Sequence, residues 1–133
     1  MGKEKIPEDT KILVSEVIRG IQEKKGLSIS CMNLAEIKST VCDYFVVCHG
    51  TSNTHVGAIA DAVEEQVNKQ IGLKPRRKEG YVNSEWILLD YLDVVVHVFQ
   101  QEIRDFYRLE DLWADAPLVQ IYDEQNNTVK LIK

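Results

Sequence analysis

A single-domain α/β (α+β) fold, a mixed β-sheet covered by helices, is predicted by three features of this 133-residue chain. In Trp86-Ile87-Leu88-Leu89-Asp90-Tyr91-Leu92-Asp93-Val94-Val95-Val96-His97-Val98-Phe99, two alternating runs rich in β-branched residues flank one acidic turn, which reads as a β-hairpin. Tyr44-Phe45-Val46-Val47-Cys48 is apolar without alternation and is bounded by Gly50, as a strand buried on both faces would be. Around these runs, apolar residues recur at helical spacing. The resulting order of helix, strand, strand, helix, strand, strand, helix calls for a sheet with helices packed on it.

The first helix spans about residues 8–25, with Val14, Val17, Ile18 and Ile21 on one stripe and Gly26 as its stop. Leu27, Ile29 and Cys31 alternate with Ser28 and Ser30, predicting a half-exposed strand near a sheet edge. A loop at about residues 36–43 leads into the central strand at Tyr44. Gly50-Thr51-Ser52-Asn53 then turns that strand into a second helix, with Ser52 or Asn53 as N-cap. Its buried stripe is Val56, Ile59, Ala60, Val63, Val67 and Ile71, and Gly72 ends it. Lys74-Pro75-Arg76-Arg77-Lys78 reads as a solvated linker before the hairpin. A third helix is expected over residues 101–113, where Ile103, Phe106, Tyr107, Leu109, Leu112 and Trp113 span more than one narrow stripe. Residues 117–133 form either a loose tail or a small added hairpin.

With Leu92-Asp93 as the turn, Tyr91 faces Val94, Leu89 faces Val96 and Ile87 faces Val98, which makes one hairpin face wholly apolar and assigns it to a core. The same register sets Asp90 against Val95, Leu88 against His97 and Trp86 against Phe99. Two readings of this mixed face stand side by side. Aromatic pairs stabilise sheets by about 0.2–1 kcal/mol each without any partner, and large aromatics beside polar groups also suit a protein interface.

Composition narrows the function. A formal net charge of −5 argues against phosphate-backbone binding as the main activity and fits a basic protein partner better. No apolar run approaches the ~20 residues of a membrane span. The N-terminal residues lack the apolar core of a secretory signal and contain acids that a transit peptide avoids, so a cytoplasmic location is expected. Cys31, Cys42 and Cys48 show no metal or redox spacing and read as buried thiols.

Catalytic chemistry finds little support. The Gly50-Thr51-Ser52-Asn53 loop could cradle a phosphate at a helix N-terminus, but it lacks the Lys of a Walker loop and the GxGxxG of a dinucleotide site. A nucleotidyltransferase needs acids close together on one side of a strand to hold two metal ions. Asp90 and Asp93 lie across a turn and Asp61 lies on a helix, so that cage is missing. Cys48 and His49 are adjacent on a strand and point to opposite faces, which excludes a shared zinc. No catalytic residue, metal or cofactor is expected; a nucleotide-binding enzyme using residues 50–53 is the alternative.

Asp43-Tyr44-Phe45-Val46-Val47-Cys48, Gly50-Thr51-Ser52-Asn53, Ala60-Asp61, the hairpin, and Arg104-Asp105-Phe106-Tyr107-Arg108-Leu109-Glu110-Asp111-Leu112-Trp113 together resemble the ribosomal silencing factor family, also called Iojap-like. The likeness covers residues 1–116 as a domain, strictly from about residue 8, and leaves residues 117–133 as a C-terminal addition. It implies a nucleotidyltransferase-like topology without the catalytic acids. It also implies binding to the large ribosomal subunit through ribosomal protein L14, steric block of small-subunit joining, and lowered translation when nutrients are scarce. A peripheral contact to ribosomal RNA and a homodimer in the free state are further expectations. The family's partner surface carries over to Trp86, Asp90, Asp93, His97, Arg104 and Tyr107, with Leu88 and Leu109 at its margin. One departure is Leu92, where the family usually has the Gly that takes φ > 0 cheaply.

Overall fold

Helix α1 (Glu8–Glu23) is followed by β1 (Leu27–Asn33), β2 (Tyr44–Gly50), α2 (Asn53–Ile71), β3 (Arg77–Glu79), β4 (Trp86–Asp90), β5 (Val94–Gln100), α3 (Gln101–Tyr107), β6 (Leu118–Asp123) and β7 (Thr128–Leu131). This computed structural model describes residues 8–34, 42–108, 118–123 and 128–131. The seven strands form one sheet in the order β3-β4-β5-β2-β1-β6-β7. β2 and β5 run parallel and every other pair is antiparallel, so the sheet is mixed.

The parallel pair is what the sequence order demands, because β2 must pass through α2 before the chain returns to the sheet. Ser52 caps α2: its side chain accepts from the His55 backbone N–H at 3.1 Å, and Gly72 closes the other end with φ 71°. α1 and α2 pack on one sheet face. Their stripes (Leu13, Val14, Val17, Ile18, Ile21 and Val56, Ile59, Ala60, Val63, Val67) meet Val46, Cys48, Ile87, Leu89, Val94, Val96 and Val98, all buried. Each such aliphatic side chain contributes roughly 1.5–3 kcal/mol on burial. Gly20 allows the two helices to touch, since a Cβ there would lie 2.6 Å from the Val63 Cα. The opposite sheet face carries a smaller core of Met32, Leu34, Cys42, Val47 and Phe99, edged by Phe45, Trp86, Val95 and Ile103 of α3.

The hairpin has the expected register: Trp86 pairs with Phe99, Ile87 with Val98, Leu88 with His97, Leu89 with Val96 and Asp90 with Val95. Tyr91 N–H donates to the Val94 carbonyl at 2.9 Å. Leu92 keeps the left-handed turn despite its side chain, with φ 81°, and Asp93 N–H reaches back to the Tyr91 carbonyl at 3.0 Å.

Three expectations change. β1 is an interior strand because β6 pairs along it. Its two-residue alternation is broken by an irregularity between Leu27 and Ser30, where Ser28 has φ 50°, and residues 29–32 are all buried. The basic linker is partly a strand, since Arg77–Glu79 pairs with β4 as an exposed, charged edge. α3 stops at Tyr107, where Arg108 takes φ 51° and its N–H donates to the Arg104 carbonyl. Leu109, Leu112 and Trp113, placed on that helix by periodicity, lie outside the described residues, as does most of the loop at 36–43. Beyond α3, β6 and β7 pair as a hairpin that extends the sheet past β1.

Candidate functional site

The mixed hairpin face carries a run of touching rings. Trp86 opens β4 opposite Phe99 of β5, with ring centroids 4.8 Å apart, and Tyr107, at the end of α3, lies 5.0 Å from it. Phe106 meets Tyr107 edge-on at 5.1 Å. Exposure rises along this run: Phe99 is fully buried, Trp86 is half-buried, Tyr107 is 51% exposed and Phe106 is 76% exposed. The run is possible because α3 begins immediately after β5 and turns its last residues back over the start of β4. Phe106 and Tyr107 follow Ile103 at i+3 and i+4 and so lean to its side of the helix, but they are the last two residues of α3, and only Ile103 packs against the core.

His97 lies beneath this surface, 4% exposed. Its Nδ1 accepts from Trp86 Nε1 at 3.1 Å. Indole nitrogen only donates, so Nδ1 is unprotonated and the proton of the neutral ring sits on Nε2. Burial pushes the His97 pKa down to about 4 from 6.5, which keeps the ring neutral. Phe45 packs against the imidazole at 4.7 Å in a T-shaped arrangement.

The expected acidic and basic residues take different places. Asp90 is buried; its Oδ1 accepts the Leu92 N–H at 2.8 Å and its Oδ2 faces Arg76 Nε at 3.3 Å and Arg77 at 3.7 Å. It therefore holds the hairpin turn and gathers the basic stretch. Asp93 is exposed at the tip, where its carboxylate accepts from the Thr10 hydroxyl at 3.4 Å and its carbonyl accepts the N–H groups of Asp43 and Tyr44. Arg104 points inward from α3, donating to the Ser28 carbonyl at 2.8 Å and to His49 Nδ1 at 2.9 Å. Leu88 is half-buried on the mixed face, and Leu109 lies outside the described residues. The structure thus brings Trp86, Leu88 and Tyr107 to one accessible face, with His97 and Arg104 supporting it from below. Phe106 joins them; sequence periodicity had it only as one of several apolar helix positions.

The glycine loop has a local explanation. Thr51 N–H donates to His55 Nδ1 at 3.0 Å, and His55 N–H and Val56 N–H are taken by the Ser52 side chain and carbonyl. A Cβ on Gly50 would meet the His55 ring at 2.9 Å, so glycine is needed for that packing. The Thr51, His55 and Val56 N–H groups, three of the backbone donors around this turn, are thus engaged within the protein. Cys31, Cys42 and Cys48 are buried, and burial pushes the Cys31 and Cys48 thiols up to about 12, away from reactive thiolate. Among the described residues no cluster of three His, Cys, Asp or Glu is placed to hold a metal, and no helix is long and apolar enough to cross a membrane.

These features define a mixed-sheet α/β domain whose distinctive surface is aromatic and whose polar groups serve structure. The family model described as "Ribosomal silencing factor during starvation" matches residues 7–131. A ribosomal silencing factor of Halalkalibacterium halodurans is 38% identical over 82% of this chain and 92% of its own length, and that of Bacillus subtilis is 40% identical over 74% and 82%. The fold is similar to a crystal structure of a Chromobacterium violaceum protein, with a TM-score of 0.74 at 31% identity over 78% of this chain and 85% of that one. The chain belongs to the ribosomal silencing factor family.

Proposed function

We propose that this protein represses translation under nutrient limitation by occupying the large ribosomal subunit through ribosomal protein L14 and sterically blocking small-subunit joining. The observation that carries this reading is the rise in exposure from Phe99 through Trp86 and Tyr107 to Phe106, which leaves a rigidly backed aromatic surface uncovered. Aromatic side chains supported from beneath are the groups that dominate protein interfaces. Net charge of −5 favours association with a basic ribosomal protein. The role is one of binding without catalysis, exercised in the cytoplasm. Asp93 at the hairpin tip and Leu88 and Leu109 extend the contact, while His97, Asp90 and Arg104 act by shaping it.

Contact with ribosomal RNA is peripheral in this reading, because Arg76 and Arg77 are partnered by Asp90, and Lys78 by Glu64 at 3.1 Å. Residues 1–116 supply the binding domain, to whose sheet β6 and β7 of the C-terminal segment 117–133 are added. A free homodimer would have to open if it used the same aromatic surface. Nucleotide-dependent catalysis at residues 50–53 is disfavoured because the Thr51 N–H is taken by His55 and the Ser52 side chain is spent on capping α2. The test mixes purified large and small subunits with and without the protein and reads the joined fraction by gradient sedimentation. A fall in joined ribosomes, with the protein travelling on large subunits, is expected. An unchanged joined fraction at saturating protein would remove the proposal.

A further inference from the structure

We propose that His97 is a positioning residue for Trp86: through Nδ1 it takes the one hydrogen the indole can donate and fixes that ring with its carbon perimeter, not its N–H, toward an apolar site on the partner. This deepens the function proposed above and rests on Trp86 being part of the contact surface.

The geometry starts from strand register. Trp86 pairs with Phe99 and Leu88 pairs with His97, so Trp86 and His97 are diagonal neighbours on the same sheet face, within reach of large side chains. The Trp86 Nε1 to His97 Nδ1 distance is 3.1 Å. The imidazole is itself confined, with Phe45 at 4.7 Å and Phe99 stacked at 6.2 Å between ring centroids. It cannot swing away to release the indole without disturbing both.

The cost of His97 sharpens the argument. Its Nε2 is buried without a hydrogen-bond partner among the described residues. An unpaired buried polar atom is destabilising. A phenyl ring at position 97 would fill similar space among Phe45, Trp86 and Phe99 without that cost. What a phenyl ring would not provide is an acceptor for Trp86. The imidazole is thus explained by the nitrogen that is used.

Fixing Trp86 in this way has a consequence for recognition. Indole has a single donor and no acceptor. With that donor turned inward, Trp86 offers a partner its carbon perimeter and ring face but no hydrogen-bond donor, and Tyr107, 5.0 Å away and half exposed, limits its other side. The receiving site therefore aims no carbonyl at the indole, and side-chain carbons suit the edge that is presented. Holding the ring before binding also reduces the rotamer entropy lost in the complex.

The test observes the indole N–H of the free, full-length protein by nitrogen-15 NMR, assigning the Trp86 signal with Trp86→Phe. In His97→Phe the Trp86 signal is expected to move upfield and its solvent exchange to quicken roughly tenfold. In His97→Asn, whose Oδ1 lies near the former Nδ1, both changes should be reversed at least in part. Co-sedimentation should show His97→Phe binding large subunits roughly five- to tenfold more weakly, the worth of one hydrogen bond. In a Trp86→Phe background the same substitution should cause no further loss. An unshifted Trp86 signal in a folded His97→Phe protein would overturn the coupling, and equal binding losses in both backgrounds would overturn its role in recognition. Full binding by Trp86→Ala would instead remove the surface reading itself, while the NMR comparison still decides the Trp86–His97 coupling.

Discussion

Arg104 on α3 donates to His49 Nδ1 on β2 at 2.9 Å and to the Ser28 carbonyl on β1 at 2.8 Å, so one guanidinium ties the short helix to two neighbouring strands. A seven-residue helix has little stability of its own. Its place over β4, and with it the place of Phe106 and Tyr107, depends on this anchor and on Ile103. Arg104→Leu should therefore cost about 2–4 kcal/mol, because buried acceptors lose charged donors. Arg104→Lys should recover only part, as an ammonium lacks the planar fork. Urea unfolding of both variants checks this; a midpoint within error of the parent for Arg104→Leu would contradict it.

His97 makes stability depend on acid. Its pKa is about 4 in the folded protein against 6.5 unfolded. Between those values the unfolded chain binds a proton that the folded one does not, so stability rises with pH across that window. Lowering the pH from 7 to below 4 should remove roughly 3 kcal/mol through this group alone, with nothing further lost once both states are protonated. His97→Phe should flatten this part of the profile. Thermal melts from pH 7 to pH 4 of the parent and the variant measure the difference, and parallel profiles would refute it.

Leu92 shows where local chemistry and sequence disagree. It has φ 81° at the hairpin tip and is half exposed, so its side chain gains little from burial while its backbone is strained. Such conformations cost about 1–3 kcal/mol for a non-glycine residue, and glycine gives back part of the relief through its flexible unfolded state. Leu92→Gly should stabilise the protein by roughly 1 kcal/mol, seen as a melting temperature a few degrees higher. A lower melting temperature would show that Leu92 contributes a contact that outweighs the strain.

The hairpin was legible because two-residue periodicity fixes which side chains pair, and its register followed from the apolar face alone. The central position of β2 was legible from the lack of alternation. β1 was misplaced at an edge because Ser30 looks solvent-facing in sequence, whereas its hydroxyl lies 3.4 Å from Arg104 and an irregularity at Ser28 breaks the alternation. The end of α3 was hidden because helical spacing continues through Leu109 and Leu112, and nothing in residue type announces the left-handed turn at Arg108. At the candidate site, Trp86 was readable from the mixed hairpin face, and Tyr107 from a third helix whose apolar positions exceed one narrow stripe. The inward turns of Asp90, His97 and Arg104 were not, since each depends on partners distant in sequence or on the other strand: Arg76, Trp86 and His49.

Phe106 separates binding from folding more cleanly than any other residue of the aromatic run. At 76% exposure its ring stabilises the free protein little, meeting Tyr107 edge-on at the surface. Phe106→Ser should shift stability by no more than about 0.5 kcal/mol. If the surface engages the large subunit, the same change should weaken co-sedimentation about tenfold or more, as truncation of an interface aromatic does. Ile12 is a matched control: it is 41% exposed on α1, which packs against the opposite face of the sheet. Ile12→Ser should leave large-subunit binding unchanged. Equal binding by parent, Phe106→Ser and Ile12→Ser would place the contact elsewhere, and equal losses in the two variants would point to a general effect of removing surface apolar groups.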